Sequence, residues 1–581
     1  MLSLRSVIVI MCVFCLAADV WADVPIVDEP SVNELREILR RRIEREQKQG
    51  RFTCRGELIC GIADLPLFYA RRGFRPAWVS QPSLAIAESL MRAIRVAGLD
   101  GLQKGDYHAD KLEMLFDSVT ENRLCATPSE PEILVDLDLL LTDAFLLLGS
   151  HLMAGRVNPE TIHTQWTVYH PEANLAEVLQ TALESDQIEF ALDSLRPPHH
   201  GYRALKLALN RYREIAVFGG WPILDKQLSW RKGVFGVHIA KLKERFRSTG
   251  DLAPAVKSDG EGYLYDDLLE AGIKRFQARH GLPESGMIDA ATLASLNVPV
   301  DVRIRQIELN LERWRWIPHD LGDPHILVNV ADFNLAVMEA DQVKWGMRVV
   351  VGRDYRRTPV FSANLNYLVI NPYWNIPRKI AVEDILPKVR RDPGYLVKKR
   401  IKVFESWQEN APEISPYAVD WSKVTKRNFA FKLRKEPGSS NDLGRIKFML
   451  PNKYAVYLHD TPSRKLFKRN LRTFSSGCIR LERPLDLADY LLKDDPKWTR
   501  NDIREAIKSE QGNIIVRLSK PVPVHLLYWT AWVDSHGGVN FRDDIYRRDS
   551  RLDVALRERP PGMGPAETRQ LGTGPVKKSS G

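Results

Sequence analysis

Signatures for zinc, nucleotides and membrane spans are missing from this 581-residue chain. It has no Cys-x-x-Cys pair and no His-Glu-x-x-His helix, which excludes zinc ribbons, thioredoxin-type redox centres and zincin peptidases. It has no Walker loop and no Rossmann glycine fingerprint, which removes nucleotide and dinucleotide chemistry on those frameworks. His199 and His200 stand beside Pro197-Pro198 without a third ligand at metal spacing, so they read as loop residues. No metal and no cofactor is expected. Beyond residue 22 no stretch is apolar enough to cross a bilayer. The most apolar one, residues 133–153, is interrupted by Asp136, Asp138 and Asp143. Cysteine is scarce at six, and Cys12 and Cys15 fall within the first 22 residues.

What is present describes a folded, multidomain chain. Its 44% hydrophobic and 27% charged residues suit a globular protein of about three or four domains. Residues 1–22 read as an export signal: Arg5, then an apolar run to Ala18, then Val20-Trp21-Ala22, with cleavage after Ala22 or Ala18. An uncleaved anchor is the alternative. The expected location is therefore the periplasm. Cys54, Cys60, Cys125 and Cys478 then remain, and Cys54 and Cys60 are spaced to close a short disulfide loop in an oxidising compartment. The net charge of +10 survives loss of the signal and suits an anionic wall polymer rather than nucleic acid.

Residues 23–61 hold a linker and an isolated amphipathic helix, with Ser31 and Glu34 as a capping box. Leu35, Ile38, Leu39 and Ile43 form its apolar stripe, and Arg40, Arg41, Arg42 and Arg45 a solvated face. Residues 62–230 carry helical patterning without a catalytic cluster. Gly73 ends one helix, Gly155 follows a core helix over 137–153, and Gly219-Gly220 follows another over 205–218. Residues 231–299 form a small helical unit with Leu268, Ile273, Phe276 and Leu282 as core. A helical connector (300–324) leads to β-like runs at 325–330, 335–338, 345–351 and 367–370, which predict a mainly β domain over 325–520. Within it, residues 378–436 are irregular and basic, suited either to a lid or to an ordinary surface excursion. A helix over 484–492, a β-hairpin within 521–557 with His536 in its turn, and a disordered tail (558–581) complete the reading.

The chemistry concentrates in Ser475-Ser476-Gly477-Cys478-Ile479-Arg480, nineteen residues beyond Tyr457-Leu458-His459-Asp460-Thr461-Pro462-Ser463. A Gly-Cys turn presents a thiol beside converging backbone N–H groups, and a histidine on a neighbouring strand can take its proton. Together with Val351-Gly352-Arg353, Thr358-Pro359, Asn371–Pro377 and Asn441–Phe448, the pattern resembles the L,D-transpeptidases of the YkuD type, closest to the large periplasmic YcbB group. Lys435 stands where that group commonly has glutamine. Residues 62–230 resemble its helical scaffold, 378–436 its capping subdomain, and 231–299 a peptidoglycan-binding module, with Ser285-Gly286 where an Asp-Gly turn is usual.

The resemblance implies a multidomain α+β protein: helical scaffold, three-helix wall-binding module and β catalytic domain with a capping insert. It implies an enzyme that attacks the amide before the terminal D-alanine of a tetrapeptide stem and forms 3-3 cross-links, with carbapenems as inhibitors. Cys478 would be the nucleophile and His459 the base, with N–H groups around Gly477 and Cys478 holding the oxyanion. Arg480 would bind a stem carboxylate, while Tyr457 and Trp374 wall the groove beside Ser476. Asp460, adjacent to His459 on a strand, faces away, so a backbone carbonyl is expected to orient the imidazole. A cysteine peptidase acting on peptidoglycan stems and a non-catalytic wall-binding protein are the alternatives.

Overall fold

A computed structural model describes residues 30–558, apart from 50–51, 80, 126–128, 168–172, 227–229 and 254–260. The expected signal (1–22) and all but the first residue of the expected tail (558–581) lie outside the described residues. Two compact units emerge, one of residues below 157 with 171–197 and those from 556, the other of 157–170 and 198–555.

The first unit is helical around the buried helix Pro131–Ala154. The three aspartates that interrupt its apolar sequence are all buried, and each anchors a neighbouring segment. Asp136 pairs with Arg42 and Arg55. Asp138 accepts the backbone N–H groups of Ala77 and Trp78, and Asp143 those of Cys60 and Gly61. A buried carboxylate is tolerated only when satisfied in this way.

Three expectations change here. The helix Val32–Gln49 is not isolated, because Leu35, Leu39 and Ile43 join the common core. Arg42, placed by pattern on a solvated face, instead reaches Asp136. Strands β1 (Thr53–Cys54) and β2 (Glu57–Leu58) form a hairpin, but Cys54 and Cys60 are both free thiols. The Cys54 thiol donates to the Asp136 carboxylate at 3.3 Å.

In the second unit, residues 230–253 and 261–297 pack as short helices around Ile239, Phe246, Leu269, Ile273 and Phe276. Leu268, expected in this core, is 72% exposed. Asp266 caps the helix Asp267–Arg279, and this start turns Leu269 inward instead. Arg279 donates to the Val539 carbonyl at 2.9 Å, tying this module to a hairpin of the β domain.

After the helix Val300–Trp314, strands β3 (His325–Asn329), β4 (Asn334–Glu339), β5 (Gln342–Gly352) and β6 (Phe361–Ile370) begin a nine-stranded sheet. β7 (Trp374–Asn375), β8 (Ile401–Phe404), β9 (Glu413–Ile414) and β10 (Lys432–Lys435) leave it to form a separate sheet of order β7-β10-β8-β9. β11 (Ile446–Met449), β12 (Leu458–His459), β13 (Thr473–Ser475), β14 (Ile479–Leu481) and β15 (Ile514–Leu527) return to the large sheet. Its order is β13-β5-β14-β12-β11-β6-β15-β3-β4, and β5 also pairs with β4, so the sheet closes on itself.

The insert is thus no irregular excursion. It has its own core, built from Ile376, Val389, Leu396, Val403, Trp421 and Leu433, and its sheet starts at Trp374. The C-terminal hairpin is shorter than expected. Val522 to Leu527 belong to β15 in the large sheet, and only β16 (Ala531–Val533) and β17 (Val539–Phe541) pair as a hairpin. The connection from β15 to β16 spans Tyr528–Thr530. His536 lies in the turn between β16 and β17.

Candidate active site

The turn carrying Cys478 joins β13 to β14. Gly477 has φ of +115°, a conformation that residues with a Cβ rarely adopt. Two buried hydroxyls lock the turn. Ser475 Oγ donates to the Cys478 carbonyl at 2.5 Å and accepts the Gly477 N–H at 3.1 Å. Thr358 Oγ1 donates to the Gly477 carbonyl at 2.8 Å and accepts the Gly352 N–H at 2.9 Å. Behind them, Tyr546 donates to the Gly352 carbonyl at 2.5 Å and Arg548 to the Thr358 carbonyl at 3.0 Å. Each such bond contributes about 1 kcal/mol to holding the turn. The Gly477 N–H is therefore engaged within the turn, contrary to its expected place among oxyanion donors. The Cys478 N–H makes no protein hydrogen bond among the described residues.

Strand register gathers the other candidates. β12 runs parallel to β14 with His459 opposite Arg480, and the Ile479 N–H bonds the Tyr457 carbonyl at 3.1 Å. Side chains two apart on a strand share a face, so Tyr457, His459, Cys478 and Arg480 emerge together. The Tyr457 and His459 rings stand 5.7 Å apart, edge to face. His459 Nδ1 lies 2.5 Å from the Asp460 carbonyl oxygen. A carbonyl only accepts, so the proton sits on Nδ1 and Nε2 is left as an acceptor. The Asp460 carboxylate is occupied elsewhere, by the Arg445 N–H at 2.8 Å and by Arg464.

Burial sets the charge state. It pushes the Cys478 thiol above its ordinary pKa, opposed by hydrogen bonds from Tyr457 and by the charges of Lys447 and Arg480. It pulls the His459 imidazole down to about 3, helped by Arg480 and Lys447 and opposed by the Asp460 and Leu443 carbonyls. The resting pair is a neutral thiol beside a neutral imidazole. Burial also lowers Arg480, whose Nε is buried without a partner and which forms no ion pair among the described residues.

These groups open into a cavity of about 760 Å³ between the large sheet and the insert. Trp374, Tyr395 and Ile401 of the insert line it, with Cys478, His459 and Tyr457 across from them. Seven lysines and arginines line this cavity against two aspartates, so its field favours an anionic ligand. Burial pushes the Tyr457 hydroxyl well above its ordinary pKa; the charge of Cys478 and a hydrogen bond to its thiol add to this, and a hydrogen bond with Trp374 opposes it. Ser476 is exposed and accepts from Arg356 at 2.9 Å.

Pattern reading gave no role to four participants. Arg356 binds Ser476, Glu383 and Asp384 at once, joining the turn to the insert. Ser475 and Thr358 hold the turn, and Thr358 carried no signal beyond its place after Gly352-Arg353. Lys447 was visible as a lone charge between buried Ile446 and Phe448, the alternation that marks a side chain on the opposite face.

Three segments of the chain match known families. Residues 323–500 match the YkuD family model, the L,D-transpeptidase catalytic domain. Residues 239–296 match the family described as "Putative peptidoglycan binding domain", and 63–209 match the scaffold domain. A "Putative L,D-transpeptidase" of Haemophilus influenzae is 35% identical over 257 residues, covering 43% of this chain and 49% of the relative. The chain thus spans about half the length of the curated relative it matches. A crystallised L,D-transpeptidase of Stackebrandtia nassauensis is 14% identical, covering 53% of this chain and 96% of its own, with a TM-score of 0.21. One of Xylanimonas cellulosilytica is 12% identical, covering 52% and 99%, with a TM-score of 0.15. Both structural likenesses are too slight to bear on function.

Proposed function

From the L,D-transpeptidase catalytic domain at residues 323–500, we infer a peptidoglycan transpeptidase that uses Cys478 as nucleophile and acts outside the cytoplasmic membrane. The donor is a tetrapeptide stem, and the reacting bond is the amide between its third residue and the terminal D-alanine. The observation that carries this reading is the shared face of Tyr457, His459, Cys478 and Arg480, with the His459 Nδ1–H fixed on a carbonyl.

The thiol proton passes to His459 Nε2 as sulfur attacks the amide carbon. The tetrahedral oxyanion takes the Cys478 N–H; one such donor contributes about 2.7–4 kcal/mol in other acyl-transfer sites. The C–N bond then breaks, the imidazolium returns its proton to the departing D-alanine amine, and a thioester remains. An acceptor amine from a second stem attacks the thioester, loses its proton to His459 and releases the thiol. Arg480 has its guanidinium free for a stem carboxylate, where its planar fork gives two parallel bonds. The insert acts as a cap whose lysines and arginines draw anionic stems into the cavity. The module at 239–296 holds the enzyme on the wall.

Mass analysis of products from purified protein and a disaccharide-tetrapeptide tests this. A cross-linked dimer with loss of one D-alanine is expected. Hydrolysed tripeptide alone would assign a peptidase, and no product at all a wall-binding protein.

A further inference from the structure

Lys447 has no part in the reaction as written, yet it stands on the strand next to His459 and Tyr457. In the β11–β12 pair it lies directly opposite His459, and on the other side of β12 His459 lies opposite Arg480. One row across three adjacent strands therefore reads lysine, histidine, arginine, all on the face that carries Cys478. Ile446 and Phe448 are buried on the other face. The Lys447 ammonium sits 4.0 Å from the centroid of the Tyr457 ring, and Tyr457 hydrogen-bonds the Cys478 thiol.

Lys447 forms no ion pair among the described residues. The titratable groups near it are Tyr457 and His459 on β12 and Cys478 before β14, with Arg480 in the same row; its partner on β6, Val369, is apolar. A half-buried ammonium without a carboxylate is a desolvation cost with no structural return. Here the group able to supply the opposite charge is the sulfur of Cys478.

We propose that Lys447 is the fixed counter-charge for the negative charge on the Cys478 sulfur, which develops as the thiol proton passes to His459 during attack, so that no thiolate–imidazolium pair rests in the site. This rests on Cys478 being the nucleophile. Two cations flanking one imidazole make its protonated form repulsive, whereas the same cations attract a thiolate. The electrostatics of the individual groups agree. Burial lowers Lys447, and Cys478 is the one charge opposing that shift. His459 then serves as a base that receives the proton during attack and surrenders it promptly, since neither neighbour lets it rest charged. In this division of labour Lys447 is a positioning residue for charge, not a group that touches the substrate.

The test is the pH dependence of alkylation in the full-length protein. The Cys478 thiolate displaces iodide from iodoacetamide, forming an S–C bond, and peptide mapping isolates the rate at Cys478 from the other thiols. Lys447→Gln should move the profile up by about one pH unit and slow alkylation at neutral pH about tenfold. Lys447→Arg should recover the rate to within about threefold, a rescue that a loss of packing would not give. His459→Gln should change the profile less than Lys447→Gln does. Where melting shows Lys447→Gln to be unfolded, Lys447→Met, which keeps the apolar stem, is read in its place and carries the same expectation. An unchanged profile in the folded variant would overturn the proposal. So would a larger shift in His459→Gln, the signature of a thiolate–imidazolium pair. Alkylation reports ionisation whether or not stems are turned over, so failure of the transpeptidase reading would show in product analysis and not here.

Discussion

Replacing Arg356 by alanine should cut acyl transfer by roughly 30- to 100-fold while leaving both cores folded. The side chain is nearly buried, with a guanidinium that donates to Asp384 at 2.5 Å, Glu383 at 2.7 Å and Ser476 at 2.9 Å. Glu383 and Asp384 are about a third exposed, at 37% and 35%, so solvent screening limits each to about 0.5–1 kcal/mol. The bond to Ser476, from a charged donor to an exposed hydroxyl, contributes about 1 kcal/mol. The sum of about 2–3 kcal/mol converts to that factor at about 1.4 kcal/mol per decade. The loss should fall on the acylation step, because Arg356 holds the turn two residues before Cys478 against the insert. Single-turnover acylation by tetrapeptide, read by quenched intact mass, isolates that step. Arg356→Lys should recover only part of the rate, because an ammonium cannot span three acceptors. Acylation within twofold of wild type in a folded Arg356→Ala protein would refute the reasoning, leaving Arg356 an ion-pairing residue without influence on the turn.

Further expectations follow from the same geometry. His459→Ala should lower turnover about 10²–10⁴-fold, measured as D-alanine release, whereas a change under fivefold would remove it as the base. Carbapenems should acylate Cys478 as a thioester that is absent in Cys478→Ala, and an adduct mapping to Cys125 by peptide mass spectrometry would contradict this. Stability should fall as pH drops below about 6.5. Burial holds His163 and His459 at about 3 and His199 and His525 at about 4. Below 6.5 the unfolded chain gains protons at these positions that the folded chain refuses, until pH nears those folded values. His108 has the opposite sign: hydrogen bonds to Asp143 and Glu57 outweigh burial and raise it to about 9, so its contribution is full below 6.5 and lost as pH rises through 9. Melting temperatures from pH 4 to 9 check the net slope, and a flat curve between 4 and 6.5 would contradict the burial of these imidazoles.

The clustering of the candidate residues was legible because they are bunched in sequence. The turn at 475–480 and the strand at 457–459 are adjacent in β12 and β14, so motif spacing and strand register report the same neighbourhood. Carbonyl orientation of His459 was readable too, since neighbours on a strand diverge and Asp460 could not turn its carboxylate to the ring. What escaped was set by distant chain. Arg356 acts through Asp384 and Ser476, 28 and 120 residues away, and no local pattern announces that meeting. The insert looked irregular because its strands are short, from two to four residues, and alternation over so few positions gives no period. The C-terminal hairpin was overextended for a related reason. Val522 to Leu527 read as one arm of a hairpin, yet their partners are β6 and β3, chosen by the closing of the sheet. Leu268 and Leu269 differ by one residue, and the Asp266 cap decided which faced inward.

The most direct test of the account is the acyl-enzyme itself. Full-length protein mixed with a disaccharide-tetrapeptide and quenched in acid should gain the mass of the disaccharide-tripeptide acyl group, with one free D-alanine released per adduct. Peptide mapping should place the adduct on Cys478, and it should disappear on adding an acceptor amine as the cross-linked product forms. A protein that yields product with no adduct at Cys478, or one that turns over unchanged as Cys478→Ala, would contradict the central claim.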